Sequence, residues 1–317
     1  MTQLKYTFLV PAYKASFLEE ALRSIKNQTY TEFKVLVSDD CSPENLKLIF
    51  DRVCGDDPRF SFRRNKENMG GKSLVSHWNL LVDMCDTEYL VMASDDDVYE
   101  PKFLEEINDL TVKYPQVDVL RARARRVVNG KLERSDYNLD ELMTFAQFAS
   151  TFGDLPIVSC LANYVFRTNK LQEIGSFPDF PAAAKSDSAT AMYMAQNGIA
   201  STADVLFTFR ISNENLSSTS GYAKNILNVA TADLLFVDWY KAHMIPLLDN
   251  LTGEHEYMRP IVDKAHRIHV EGILQYLMPQ MSLHDLLHFR REFRKRGYLL
   301  GTIDNMVIWK NWLKNKM

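Results

Sequence analysis

The chain has 317 residues, of which 46% are hydrophobic and 25% charged, with a formal net charge of −4. That length fits one large domain with an appendage or two domains, and the composition is that of a globular protein. The mildly acidic balance argues against general nucleic-acid binding. No apolar run reaches the ~20 residues that a bilayer-spanning helix needs.

The first six residues carry no basic-then-apolar leader, so secretion is not expected and a cytoplasmic setting is. Cys41, Cys54, Cys85 and Cys160 lack CxxC spacing and read as free thiols. Tyr6 to Val10 reads as a buried strand. Ser16-Phe17-Leu18-Glu19 has capping-box spacing for a helix whose apolar stripe is Phe17, Leu18, Ala21, Leu22 and Ile25. Phe33 to Val37 is a second strand, and Ser42-Pro43 reads as the N-cap and first residue of the next helix. A short third strand covers Phe60 to Phe62, a helix runs from about Ser73 to Cys85, and Tyr89 to Ala93 is a fourth buried strand. This alternation predicts an α/β fold with a mostly parallel central sheet and helices on both faces.

Beyond Tyr114 the pattern changes. Val117 to Val128 reads as a strand, and Asn129-Gly130 as a hairpin turn into Lys131-Leu132. Asp140 to Phe152 is expected to be helical, Ile157 to Arg167 extended, and Lys185 to Gln196 and Ile226 to Met244 helical. The chain past Ser220 reads as mainly helical.

Ser94-Asp95-Asp96-Asp97 follows the fourth strand directly. Three consecutive carboxylates repel one another and are costly to bury without a cation. In an open α/β sheet ligands collect at the carboxyl ends of strands, so these acids read either as a site for a divalent cation or as a solvated turn before the next helix. Asp39-Asp40 and Pro11-Ala12-Tyr13 end two other strands and are expected on the same margin.

The order of short motifs resembles the family 2 glycosyltransferases, which have a GT-A fold. Pro11-Ala12-Tyr13-Lys14 matches the turn after the first strand, and Ser24 to Tyr30 the Ser-x-x-x-Gln-Thr-Tyr helix. Asp39-Asp40-Cys41-Ser42, Asn68-Met69-Gly70 and the acidic cluster with Pro101 four residues beyond Asp97 complete the run. A weaker match continues through Ile174-Gly175-Ser176-Phe177 to Ser186-Asp187.

The resemblance implies an enzyme that moves a sugar from a nucleoside diphosphate sugar, UDP-linked above all, to a hydroxyl of a glycan or lipid-linked glycan. Inversion at the anomeric carbon and help from Mg²⁺ or Mn²⁺ are implied with it. It places Pro11 and Tyr13 against the base, Asp39 and Asp40 on base and ribose, Asp95 near the ribose and Asp96 on the metal. The register of the acidic cluster is open by one residue, with Asp97 either behind the metal site or capping a helix. Asp187 would be the catalytic base or else a helix cap, with Asp179 in reserve. An Arg that many relatives carry is missing, since the chain has Ser76-His77-Trp78-Asn79 there, and Lys72 is assigned its charge. A His of many relatives is replaced within Ile211-Ser212-Asn213, leaving Arg210 as a weak phosphate candidate.

Arg121, Arg123 and Arg125 share one strand face, either greeting an anionic acceptor or, the favoured reading, lying on a solvated edge. His266 and His269 read as structural. The tail joins Arg290, Arg291, Arg294, Lys295 and Arg296 to Tyr298 to Leu300, Met306 to Trp309, Trp312 and Leu313. It suits peripheral contact with the inner face of a membrane, or packing on the domain or on a second subunit.

The expected organisation is a GT-A domain over residues 1–220, divided at 115/116 into nucleotide and acceptor halves, then a helical region over 221–317. Two competitors stand beside the transferase. A sugar-phosphate nucleotidyltransferase would need a glycine-rich first loop, which Pro11 to Ala15 is not. A non-catalytic nucleotide- or glycan-binding relative would keep the fold without the base.

Overall fold

The computed structural model describes residues 4–137, 139–151, 157–212, 215, 225–250, 260, 273, 277–296 and 301–316. His266 and His269, and Tyr298 to Leu300 of the tail, lie outside them. The chain divides into two compact units, Met1–Phe148 with Ile157–Asp179 and Ser186–Ser212, and Ala149–Pro156 with Phe180–Lys185 and Asn213–Met317.

The first unit opens β1 (Tyr6–Ala12), α1 (Leu18–Lys26), β2 (Phe33–Asp39), α2 (Leu46–Cys54), β3 (Phe60–Arg64), α3 (Leu74–Asp83) and β4 (Tyr89–Met92). It continues with β5 (Val98–Tyr99), α4 (Phe103–Lys113), β6 (Val119–Val128), β7 (Lys131–Ser135), β8 (Leu142–Met143) and α5 (Phe145–Ser150). The remaining elements are β9 (Tyr164–Arg167), α6 (Thr168–Glu173), α7 (Ser186–Met194) and β10 (Ile199–Ile211). The sheet order is β3-β2-β1-β4-β9-β6-β10-β5, with β7 on β6 and β8 on β10. Strands β3, β2, β1 and β4 are parallel, β6 and β10 are parallel, and β9 runs against both β4 and β6. Six strands therefore share one direction, and their carboxyl ends lie on one margin.

Alternation explains the layering. Tyr6, Phe8, Val10 and Ala12 of β1 join Leu18, Leu22 and Ile25 of α1, Phe50 and Val53 of α2, and Phe103, Leu104 and Ile107 of α4 in one core cluster. Burying an aliphatic or aromatic side chain of this size contributes about 1.5–3 kcal/mol. On the opposite face, Trp78 of α3 meets Phe177 at 5.8 Å, and Phe177 meets Phe166 of β9 at 5.6 Å. The predicted hairpin holds: Asn129 and Gly130 both have positive φ (48° and 78°), as the tight turn between β6 and β7 requires.

Several local expectations are corrected. The N-cap of α1 is Phe17 and carries no side-chain cap, because the helix starts two residues beyond Ser16. The cap of α2 is Asn45, whose Oδ1 accepts from Leu48 N at 3.2 Å. Ser42 is spent elsewhere, its N–H on Asp39 and its hydroxyl on the Tyr13 carbonyl. The stretch expected as a helix from Asp140 holds strand β8 before α5 begins. Leu161–Asn163 forms a 3₁₀ turn, so only the end of the expected 157–167 strand is extended.

The arginine face is not a solvated edge. β6 lies between β9 and β10, and Arg121 is fully buried. Its Nη2 bonds Asp136 Oδ2 at 2.5 Å and the Val158 carbonyl at 3.0 Å, while Nε and Nη1 have no partner among the described residues. Arg123 donates to the Ala203 and Leu139 carbonyls, and Arg125 pairs with Glu100. Ala122 and Ala124 belong to the core on the other face, so the period-2 part of the reading stands.

In the second unit the described elements are helical: α8 (Ile226–Trp239) running into a π-turn (Tyr240–Met244), α9 (Ile245–Asp249), α10 (Leu283–Lys295) and α11 (Thr302–Lys316). Ala230, Leu234, Val237, Leu286, Phe289, Phe293 and Ile308 form its core, with Trp309 and Trp312 packed against it. Those residues of the tail pack on their own unit. No described helix is long and apolar enough to cross a membrane.

Candidate active site

Three loops leave the carboxyl ends of β1, β2 and β4, and buried carboxylates tie them together. Asp40 N donates to the Ala12 carbonyl at 2.9 Å, joining the β2 and β1 ends. Asp95 Oδ2 accepts from both Tyr13 N and Lys14 N at 2.8 Å, joining the β1 and β4 ends. Lys14 Nζ lies 2.7 Å from Asp96 Oδ2 and 3.7 Å from Asp95 Oδ1. Asp40 and Asp96 thus belong to one continuous loop cluster. Tyr13 presents its ring to solvent at 42% exposure beside it, and Pro11 is the β1 residue paired with Ser38 of β2.

Asp40 is the hub of the β2 side. Oδ1 accepts from Asn65 Nδ2 at 2.8 Å and Met69 N at 2.9 Å, and Oδ2 from Gly70 N at 2.7 Å. Burial alone would raise its pKa, but these donors and nearby His77 outweigh it and hold the carboxyl below its usual range. A Cβ on Gly70 would come within 3.0 Å of Asp40 Oδ2, so glycine permits this approach. Asp39 is buried, accepts from Ser42 N at 2.8 Å and is ion-paired with Arg64, which also donates to the Ser42 carbonyl. The Asp39 carboxylate thus closes an Asx-type turn onto Ser42 N. Asn65 and Arg64, at the end of β3, and Lys14 were not singled out from the sequence. Their signal is position alone, each at or just beyond the carboxyl end of a strand.

His77 Nε2 and Ser38 Oγ lie 2.9 Å apart, and Nδ1 is 3.8 Å from Asp40 Oδ1. Burial lowers the His77 pKa below 6.5, against the pull of Asp40. With the folded value below the unfolded one, the stability that depends on a neutral His77 is complete above pH about 6.5 and is lost as pH falls through that value towards the folded pKa. Denaturant titrations from pH 5 to 7.5 should show the wild type losing more stability than His77→Gln over that window. Parallel pH profiles would contradict this.

The acidic cluster is buried at all three positions. Burial, opposed by Lys14 and the two backbone donors but helped by Asp96, raises the Asp95 pKa. Burial and repulsion from Asp96 hold Asp97 well above the usual carboxylate range, although its oxygens accept from Ser94 Oγ and Arg210 N. Among the described residues no group of three or more His, Cys, Asp or Glu converges as a metal cage. A magnesium-type ion needs no such cage, since one or two carboxylates with substrate phosphates suffice. The Lys14 ammonium lies against Asp95 and Asp96, two of the three buried acids.

The other residues are placed as follows. Lys72 is exposed and paired with Glu67 at 2.8 Å. Arg210 pairs with Glu20 at 2.7 Å and stacks over Phe17. Asp179 accepts from Ser73 Oγ, the N-cap of α3. Asn79 exchanges two hydrogen bonds with the Phe177 backbone at 2.9 and 3.0 Å, so the segment Ser76 to Asn79 fixes the chain leading to Asp179.

Asp187 is half-buried in the first turn of α7, where its Oδ1 accepts from Ser188 N at 2.7 Å. Burial raises the pKa of Cys160, and the charges of Asp97 and Asp187 raise it further. Burial likewise raises Tyr164, with Asp187 adding to it against Arg121.

The family described as Glycosyl transferase family 2 matches residues 7–173, from β1 to the end of α6 and short of Asp187. A curated relative, the GalNAc(5)-diNAcBac-PP-undecaprenol beta-1,3-glucosyltransferase of Campylobacter jejuni, is 29% identical over 94 residues, 29% of this chain and 30% of its own. Poly(ribitol-phosphate) beta-N-acetylglucosaminyltransferase TarS of Staphylococcus aureus is 21% identical over 275 residues, 80% of this chain and 44% of its own. The chain thus spans less than half the length of either. Residues 1–349 of S. aureus TarS, solved with UDP-GlcNAc, superpose with a TM-score of 0.63 at 17% identity, covering 98% of this chain and 89% of that one. The mannosyltransferase PcManGT of Pyrobaculum calidifontis, solved with GDP-Man and Mn²⁺, gives 0.56 at 15% identity over 99% and 87%. These likenesses establish the fold as GT-A.

Proposed function

Because the chain belongs to glycosyl transferase family 2, we propose that it transfers a sugar from a UDP-sugar to a hydroxyl of a glycan or lipid-linked glycan, with inversion and with Mg²⁺ or Mn²⁺. The observation that carries this reading is the knot of β1, β2 and β4 loop tips, closed by Asp40, Asp95 and Lys14 beside the buried acids. The names of the relatives support it: both curated ones are transferases onto phosphate-linked acceptors, and a structural one holds UDP-GlcNAc.

In this reading the exposed Tyr13 ring stacks on the base, and Pro11 shapes the loop beneath it. Asp39 and Asp40 hold the surrounding loops rigid through Arg64, Asn65 and Gly70, and present their edges to base and ribose. Asp95 fixes the first loop at the ribose. Asp96 would hold the cation, which supplies charge neutralisation for the departing diphosphate. Lys72, long and solvent-exposed, is free to exchange Glu67 for phosphate, since an exposed pair of this kind is worth about 0–1 kcal/mol. Lys14 is already at the acidic cluster and is the nearer cation. Asp187 takes the proton from the acceptor hydroxyl as that oxygen attacks the anomeric carbon opposite the diphosphate.

A panel of UDP-, GDP- and ADP-sugars incubated with Mn²⁺ tests the donor class through release of the nucleoside diphosphate. UDP-sugars should be consumed at least ~10-fold faster than the others, because a base read by buried acceptors rejects a mismatched hydrogen-bond pattern. Equal or faster consumption of GDP-sugars would overturn the UDP assignment.

A further inference from the structure

The second unit holds a basic cavity of about 670 Å³ between α10 and α11, lined by Leu287, Arg290, Arg291, Arg294, Lys295 and Trp309. Leu283, Leu287, Arg290, Arg291 and Arg294 fall three or four residues apart, so one face of α10 changes from apolar to cationic along its length. On α11, Met306, Trp309 and Leu313 share a face in the same way.

The cations are short of counter-ions. Glu292 serves Lys295 and Arg296, and Asp285 accepts from Ser282. Arg291 and Arg294 are exposed and make no ion pair among the described residues. Arg290 is bonded to the neutral Asn305 amide and lies 5.6 Å from the Trp309 ring centre. Burial first, and then the Arg294 charge, depress the Arg290 pKa. Leu287, which lines the cavity with these cations, is 54% exposed, and on α11 the face shared with Trp309 exposes Met306 at 59% and Leu313 at 53%.

We propose that this cavity binds the phosphate headgroup of an anionic amphiphile, with Arg290, Arg291 and Arg294 on the phosphate oxygens and Leu287, Trp309 and Leu313 against the adjoining hydrocarbon. Planar guanidinium forks match phosphate geometry. A site for a wholly soluble polyanion gains nothing from the exposed Leu287, Met306 and Leu313, which is why the amphiphile is the better fit. The assignment draws on the second unit alone and does not depend on the transferase reading.

The test is sedimentation of the full chain with vesicles of phosphatidylglycerol or phosphatidylcholine, beside calorimetry with inorganic pyrophosphate. The protein should partition onto phosphatidylglycerol and not phosphatidylcholine. Arg291→Gln/Arg294→Gln should weaken that by about 30-fold, two surface charges at the usual value of each. Lys102→Gln/Lys131→Gln, the same charge change at exposed positions of the first unit, should leave it unchanged. Leu287→Ser/Leu313→Ser should weaken vesicle binding and spare pyrophosphate binding. Arg291 and Arg294 are exposed, so melting curves of the variants should match the wild type. If the double Gln variant does not fold, release of the wild type from phosphatidylglycerol by 0.5 M NaCl answers the same question. Equal partition of both arginine forms, equal binding to phosphatidylcholine, retention in high salt, or pyrophosphate binding without vesicle binding would each overturn the proposal.

Discussion

Asp187→Asn should lower sugar transfer by about 10²–10⁴-fold while leaving UDP affinity within twofold of wild type, measured by product formation and by calorimetry. That range is what a positioned general base contributes. The variant keeps the size and polarity of the side chain, so the bond from Ser188 N to Oδ1 survives. Only the capacity to take a proton is removed. If Asp187 serves α7 purely as a structural group, the outcome reverses: Asn is as good a helix-start residue as Asp, and turnover stays near wild type. Asp187→Ala would then cost about 0.5–2 kcal/mol of stability and little else. Asp187 is half-buried in the first turn of α7.

Asp96→Ala should remove the metal-dependent share of donor turnover, a fall of about 10²–10³-fold, as for loss of one electrostatic contact to a developing charge. The diagnostic is equality: the variant in Mn²⁺ should match the wild type in chelator, read as nucleoside diphosphate release. The argument rests on charge. Asp95, Asp96 and Asp97 are buried side by side with the Lys14 ammonium against two of them. Removing Asp96 frees Lys14 to pair with Asp95 and relieves the repulsion on Asp97, so the folded state should not suffer. A variant that still responds to chelator as the wild type does would move the cation away from Asp96.

The strands that carry the site were legible because each is an unbroken apolar run: Phe8 to Val10 and Tyr89 to Met92 are buried on both faces, and Leu36 is half-buried between the buried Val35 and Val37. The margin on which their ends meet followed from the α/β alternation. Local caps were not legible, since Ser16 and Ser42 carry the usual cap chemistry but Ser42 is drawn off by Asp39 and Tyr13. Arg121 misled for a related reason. An alternating Arg-Ala strand looks solvent-facing until a distant Asp136 supplies its counter-charge inside the sheet. The roles of Lys14 and Arg64 were hidden too, because each depends on a carboxylate 25 or more residues away. The knot of loops itself is backbone-to-carboxylate bonding, and no side-chain pattern encodes where Tyr13 N or Gly70 N will point.

The central claim is that the β1, β2 and β4 loop tips form one site for a cation-bound nucleoside diphosphate. Calorimetric titration of UDP into the wild type, with Mn²⁺ and then with chelator, and into Asp96→Ala with Mn²⁺, tests it most directly. Tight binding should appear in the first titration alone, with the other two weakened to a common value. UDP binding of equal strength in all three would contradict the account.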